Sequence, residues 1–350
     1  MKIVFRLAAL TLSLLVAFML AEAGLRIAGM GFGNSPMEPD AFLHHVHPKN
    51  YHFVQQHPSG ELGGFRIDYN AEGRVVRSST GSGPQDRKPS SPQCRVALMG
   101  DSFTEGGQVP FPVSFAGRLE EAASGKCAVR NYGVRSYSPA IYLVQYTRVV
   151  RPWKPHYVFV LLFGNDLRED VTYMSTSVRD AAGFPTAIQG PSDGWLFSTL
   201  RQLYVARFAR AASQRLLWAY EHKDEAKWTV GGVVEENPDW SELTAGLVLE
   251  MNKRVREDGG QLIVMAVPSR YRLMGDGSVA VAAEDFHHKV MTWTQANGLG
   301  FLDLDTPFKA ASKAGPPLFF QQDIHFTERG HAVVADAIAK AFPAVLAGFE

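Results

Sequence analysis

The chain has 350 residues, 46% of them hydrophobic, with 35 basic and 35 acidic side chains and a formal net charge of zero. That length suits one large globular domain with additions, and balanced charge without like-sign blocks argues against nucleic acid as a main partner. With only two cysteines, a cysteine-rich metal site is excluded.

The N-terminus reads as a targeting segment. Lys2 and Arg6 precede Leu7 to Ala21, fifteen residues without a charge, and Ala21-Glu22-Ala23 fits a small-x-small cleavage pattern. Fifteen residues fall short of the roughly 20 that a helical span needs. If Ile3 to Phe5 are included and Arg6 reaches the headgroups, a retained membrane anchor is the alternative. Residues 1–23 are therefore a signal peptide or an N-terminal anchor, and either places the bulk of the protein in a periplasmic or other extracytoplasmic compartment.

Residues 24–93 read as a stalk, a small β element and a linker. Residues 24–50 show no period, and His44, His45 and His47 lack acidic or cysteine companions, so a solvated linker is expected rather than a metal cluster. Residues 50–78 hold short aromatic and β-branched pieces between Gly turns, and 79–93 are polar and rich in breakers.

From Cys94 onward, strand and helix signals alternate. Strands are expected at 95–99, 128–132, 157–163, 261–267 and 301–304, with helices at 115–123, 140–150, 281–297 and 328–343. Continuous apolar strands alternating with helices predict an α/β fold with a parallel sheet covered on both faces. Cys94 and Cys127 each lie six residues before a glycine that ends a strand-like run. Neighbouring parallel strands would set them side by side, at a spacing suited to a disulfide in an oxidising compartment; two buried thiols are the alternative. A long insertion is expected at about 168–245. Within it, Trp195 to Tyr220 reads as one amphipathic helix carrying Arg201, Arg207, Arg210 and Arg215, either a solvated face or a surface for headgroups or an acidic polymer.

The chemistry gathers at strand ends, where parallel α/β sheets build their sites. Gly100-Asp101-Ser102 follows the first strand, Gly133 the second and Gly164-Asn165-Asp166 the third, while Asp323-Ile324-His325 follows the last. Ser102 is the candidate nucleophile, with helix capping as its ordinary alternative. His325 is the candidate base and Asp323 its orienting carboxylate. The N–H groups of Ser102 and Gly133 and the amide of Asn165 are candidate oxyanion donors, although Gly133 and Asn165 also suit plain turns. Asp101 is expected to point away and support the turn. His331 is expected at the start of the final helix, and His287 and His288 lie on a helix away from the strand ends.

These residues resemble the SGNH hydrolase family, the GDSL esterases and lipases. Gly-Asp-Ser with Ser102 is similar to the first block, Asn131-Tyr132-Gly133-Val134 to the second, Gly164-Asn165-Asp166 to the third, and Asp323 with His325 to the last. The resemblance covers about residues 94–345 and implies a three-layer α/β/α sandwich with a five-stranded parallel sheet of flavodoxin-like type. It also implies metal-free hydrolysis of acyl esters without a cofactor. One departure is the spacing of the last block: only Ile324 separates acid from histidine, where the family usually has two residues. Some exported and membrane-anchored members, including relatives acting on polysaccharide acetyl groups, share the shorter form. The expected function is a serine esterase removing a small acyl group, such as acetate, from an acylated small molecule or a cell-envelope glycan. The alternatives are an O-acyltransferase to saccharide hydroxyls, a lipase or lysophospholipase, and an inactive binding module.

Overall fold

A computed structural model of the chain describes residues 2–33, 35–78, 94–123, 126–191, 195–221, 240–270, 273 and 286–347. The expected linker at 79–93 and the stretches 222–239 and 281–285 lie outside the described residues.

The chain opens with helix α1 (Lys2–Ile27), which is exposed from Lys2 to Ala21, half-buried at Glu22 and Leu25, and long and apolar enough to cross a membrane. Short strands follow: β1 (Phe32–Gly33), β2 (Glu38–Asp40), β3 (His44–Val46), β4 (His52–Gln56), β5 (Gly63–Tyr69) and β6 (Val75–Val76). β1, β4, β5 and β6 form a small sheet in that order, and β2 and β3 pair as a hairpin. The small β element expected for residues 50–78 is present, and in β4 Phe53 and Gln55 are the buried residues.

The stalk expected over residues 24–50 is not a stalk. His45 Nε2 hydrogen bonds to the Arg135 carbonyl at 2.8 Å, and the Tyr137 hydroxyl donates to the His45 carbonyl at 2.6 Å. His47 is 2% exposed. The three histidines lie against the domain that follows, not in solvent. Among the described residues no group of three or more His, Cys, Asp or Glu side chains is placed to hold a metal.

The α/β region begins with β7 (Cys94–Gly100), α2 (Ser102–Glu105), α3 (Phe115–Ala123), β8 (Cys127–Asn131), α4 (Pro139–Gln145), β9 (Tyr157–Leu162) and α5 (Asp166–Ser175). The hairpin β10 (Ser177–Arg179) and β11 (Pro185–Ile188) comes next, then α6 (Trp195–Gln202), α7 (Tyr204–Glu221), α8 (Glu242–Glu257) and β12 (Gln261–Ala266). The chain closes with α9 (Phe286–Ala296), β13 (Gly300–Phe301), α10 (Asp305–Ser312), α11 (Glu328–Ala341) and α12 (Ala344–Ala347).

Five of these strands form one sheet in the order β13-β12-β9-β7-β8, every pairing parallel. Residues alternate cleanly between its faces. Ala97, Met99, Val158, Val160, Val264 and Ala266 join one core with α4, α5, α8 and α9. Val96, Leu98, Phe159, Leu161, Ile263 and Met265 join the other with α3, α10, α11 and α12. The result is the three-layer α/β/α sandwich with a flavodoxin-like strand order. Burying each such side chain contributes about 1.5–3 kcal/mol, which explains strands that read as unbroken apolar runs.

In the register, Cys94 is the partner of Cys127 and the two form a disulfide at the starts of β7 and β8. The helix expected over 195–220 is broken at Leu203 into α6 and α7. The Glu22 carboxylate of α1 accepts the N–H groups of Tyr204 and Val205 at 3.1 and 2.9 Å, so α7 starts where a distant acid satisfies its first donors. Of the four arginines expected on one surface, Arg207 is instead 9% exposed, with its guanidinium 4.8 Å from the Phe53 ring centroid.

Candidate active site

β7 and β9 are parallel neighbours, with Gly100 paired to Leu161, and the order of strand addition switches sides between them because β8 lies outside β7. The carboxyl ends of these two strands therefore border the crevice where an open α/β sheet places ligands. Ser102 follows the first of them and Asn165 the second.

A tight turn presents Ser102. A Cβ at Gly100 would collide with the Thr104 hydroxyl, so the close approach needs glycine there. Asp101 is 1% exposed, and its Oδ1 accepts the Phe103 N–H at 2.9 Å. It caps α2 and so supports the turn, as expected. Burial pushes its carboxyl up to about 6.

The Ser102 hydroxyl lies 2.6 Å from His325 Nε2. On the other side of the ring, Nδ1 hydrogen bonds to Asp323 Oδ1, which also accepts the His325 backbone N–H at 2.8 Å. With Nδ1–H held by the carboxylate, Nε2 presents its lone pair to the serine proton. The shorter Asp-x-His spacing thus supports the same contacts: one loop carries both residues, and the carboxylate reaches backbone and ring together. Burial works against a charged imidazole, but the Asp323 charge and hydrogen bond outweigh it, so His325 lies above its ordinary value. Burial likewise works against the Asp323 carboxylate, and the His325 contacts hold it down at about 2. Phe103 packs on the His325 ring with centroids 4.7 Å apart.

The oxyanion donors fare differently. Ser102 stands at the first position of α2, where N–H groups have no helical acceptor. Asn165 sits at the start of α5 and hydrogen bonds to Glu169. Gly133, expected to offer its N–H, gives it instead to Asn131 Oδ1 at 2.8 Å. Its glycine is required for another reason, since a Cβ would collide with the backbone of Thr104 and Glu105. The Asn131 side chain also donates to the Thr104 carbonyl at 2.9 Å, tying this loop to α2. His331 lies in α11, where burial pushes it down to about 3, and His287 pairs with Asp303 at 3.4 Å, away from Ser102.

Sequence reading missed several residues. Glu61 accepts the N–H groups of Gln321 and Gln322 at 2.5 and 2.6 Å, holding the loop that leads into Asp323. Arg135, Glu105 and His47 surround the nucleophile turn. No local motif marks them, because their partners are tens of residues away; only the Glu105 position, one turn after Ser102, carried a signal. Ser102, Asp323 and His325 open into a cavity of about 650 Å³, walled by the small N-terminal sheet and α7 and bordered by Arg135 and Arg210.

Residues 234–349, which contain Asp323 and His325, match the family described as SGNH hydrolase-like domain, acetyltransferase AlgX. The matched stretch is about a third of the chain and does not include Ser102. Comparison with curated proteins found no match. Solved structures similar to this chain include a putative lipolytic protein of the G-D-S-L family from Desulfitobacterium hafniense, 12% identical, covering 71% of this chain and 98% of its own, with a TM-score of 0.41. A catalytic mutant of an acetylxylan esterase from Geobacillus stearothermophilus is 13% identical, covering 73% of this chain and 95% of its own, with a TM-score of 0.40.

Proposed function

We propose that this protein is an exported serine esterase of the SGNH hydrolase family that forms an acyl-enzyme on Ser102 and releases a small acyl group, acetate in the first instance. The observation that carries the reading is the chain of contacts from Ser102 Oγ through His325 to Asp323. In the reaction, Ser102 Oγ attacks the acyl carbonyl while His325 Nε2 takes its proton. The Ser102 N–H and the second N–H of the Asn165 amide hold the oxyanion. Collapse breaks the ester bond, and His325 returns the proton to the leaving alcohol. Water then attacks the acyl-enzyme, His325 takes its proton, and the acid leaves as the proton returns to Ser102. No cofactor enters these steps.

A second reading is favoured by the match of residues 234–349 to an acetyltransferase domain. A saccharide hydroxyl would replace water in the second half, with the same serine and base. The helix α1 supports export, with the segment either removed or kept as an anchor. An acylated glycan of the cell envelope is the substrate class that suits this location.

The test is hydrolysis of p-nitrophenyl esters, from acetyl to long acyl chains, by the full chain and its Ser102→Ala variant, with and without added saccharides. Serine-dependent release that favours acetate is expected, and acylated saccharide would mark the transferase. Equal rates from both proteins, together with an unmodified Ser102, would overturn the reading.

A further inference from the structure

The Glu105 side chain ends α2, three residues after Ser102, and is 3% exposed. A buried carboxylate beside a nucleophile invites a catalytic role, yet its atoms face elsewhere. Oε2 accepts the N–H of Arg135 at 2.9 Å, two residues beyond Gly133. Oε1 lies 3.3 Å from His47 Nε2, within ion-pair reach, and the Ser35 hydroxyl is a further hydrogen-bond partner. Burial opposes this carboxylate, but His47, Arg135 and Ser35 outweigh it and hold it at about 2.

His47 is itself fixed from two sides. Its Nδ1 hydrogen bonds to the Gly73 carbonyl at 3.0 Å, and its ring stacks on Tyr69 with centroids 4.3 Å apart and planes 11° apart. Glu105 therefore joins three separate parts of the chain: the nucleophile turn, the loop after β8, and the N-terminal β element. The helix it ends has only four residues. A helix that short has little stability of its own, so tertiary contacts must set where Ser102 points.

We propose that Glu105 and His47 are a positioning pair, which locks the nucleophile turn against the Gly133 loop and makes the N-terminal β element part of the working active site. Neither residue touches the reacting atoms. Their effect passes through the placement of Ser102 Oγ relative to His325 Nε2, where displacements near 1 Å reduce rates by about 100-fold. The inference rests on the acyl-enzyme reading of Ser102.

The experiment uses the full chain as wild type, Glu105→Gln, His47→Gln and the double variant. It measures the rate at which a fluorophosphonate labels Ser102, kcat and KM for p-nitrophenyl acetate, and the thermal midpoint. Each single change is expected to slow labelling and kcat about tenfold or more, with KM within about twofold and the fold retained. The double variant is expected to be no slower than the worse single, because the two act as one unit. If a single variant fails to fold, Ser35→Ala removes one donor to Glu105 and is expected to lower kcat while leaving KM unchanged. Variants that label and turn over like wild type, or single losses that multiply in the double variant, overturn the positioning pair alone. A wild type whose Ser102 resists labelling overturns the acyl-enzyme reading, and this proposal with it.

Discussion

Cys94 and Cys127 are direct partners in the parallel register of β7 and β8, with Cα atoms 4.5 Å apart and a separation of 33 positions in sequence. Their bridge closes the first strand-helix-strand unit at the edge of the sheet opposite the catalytic one. β7 runs seven residues from this bridge to the nucleophile turn, a span of about 20 Å.

Removing the bridge should therefore cost stability and leave chemistry alone. In the chain-entropy account a loop of this length stabilises by about 3–4 kcal/mol. Denaturant unfolding of the Cys94→Ala/Cys127→Ala variant should show a loss of that order, with kcat near wild type below the transition. A variant as stable as wild type would argue against the bridge.

Activity should follow the ionisation of His325. The base must be neutral, so kcat/KM should rise with pH through a limb above the ordinary imidazole value of 6.5, because the Asp323 charge outweighs burial. Asp323→Asn removes what raises the ring. Its limb should move to lower pH while kcat falls by about 100-fold or more. A pH-rate profile with the limb unmoved in Asp323→Asn would separate the carboxylate from the base.

Asn165 should matter in the transition state and little before it. Asn165→Ala should lower kcat by about 100-fold, equivalent to about 3 kcal/mol, with KM nearly unchanged. Steady-state kinetics on an acetyl ester decide this; a rise in KM alone would assign Asn165 to substrate binding.

Asp101, Glu169 and Asp170 are all raised, burial being the largest cause in each; Glu169 reaches about 8. For an acid raised on folding, the stabilising contribution is present at low pH. It is lost as pH rises from the ordinary value of 4.5 through 8. Glu169→Gln should therefore gain stability over wild type progressively between those limits and hold a constant advantage above them. Chemical unfolding at a series of pH values measures this, and a constant difference across the range would show that Glu169 carries no burial penalty.

The sheet and the Ser102-His325 pair were legible because both are written locally. Apolar runs such as Val96 to Met99 announce strands buried on two faces, and a serine two residues past such a run lands on the carboxyl edge. The rest depends on contacts between distant segments. His45 and His47 looked like linker because the residues that bury them, Arg135, Tyr137 and Glu105, come much later in the chain. The Gly133 N–H looked available until Asn131, two residues earlier, folded back on it. The break at Leu203 has no glycine or proline to announce it, since its cause lies in α1.

Glu22 is also the middle residue of the tripeptide at which a signal peptidase would cut, and it is the residue that caps the start of α7. Processing after Ala23 would remove that carboxylate and leave the first turn of α7, a wall of the catalytic cavity, to fray into water. The precursor and the mature protein would then differ in the shape of their substrate entrance. A leader left in place would instead serve the enzyme permanently, as a strut holding that entrance open.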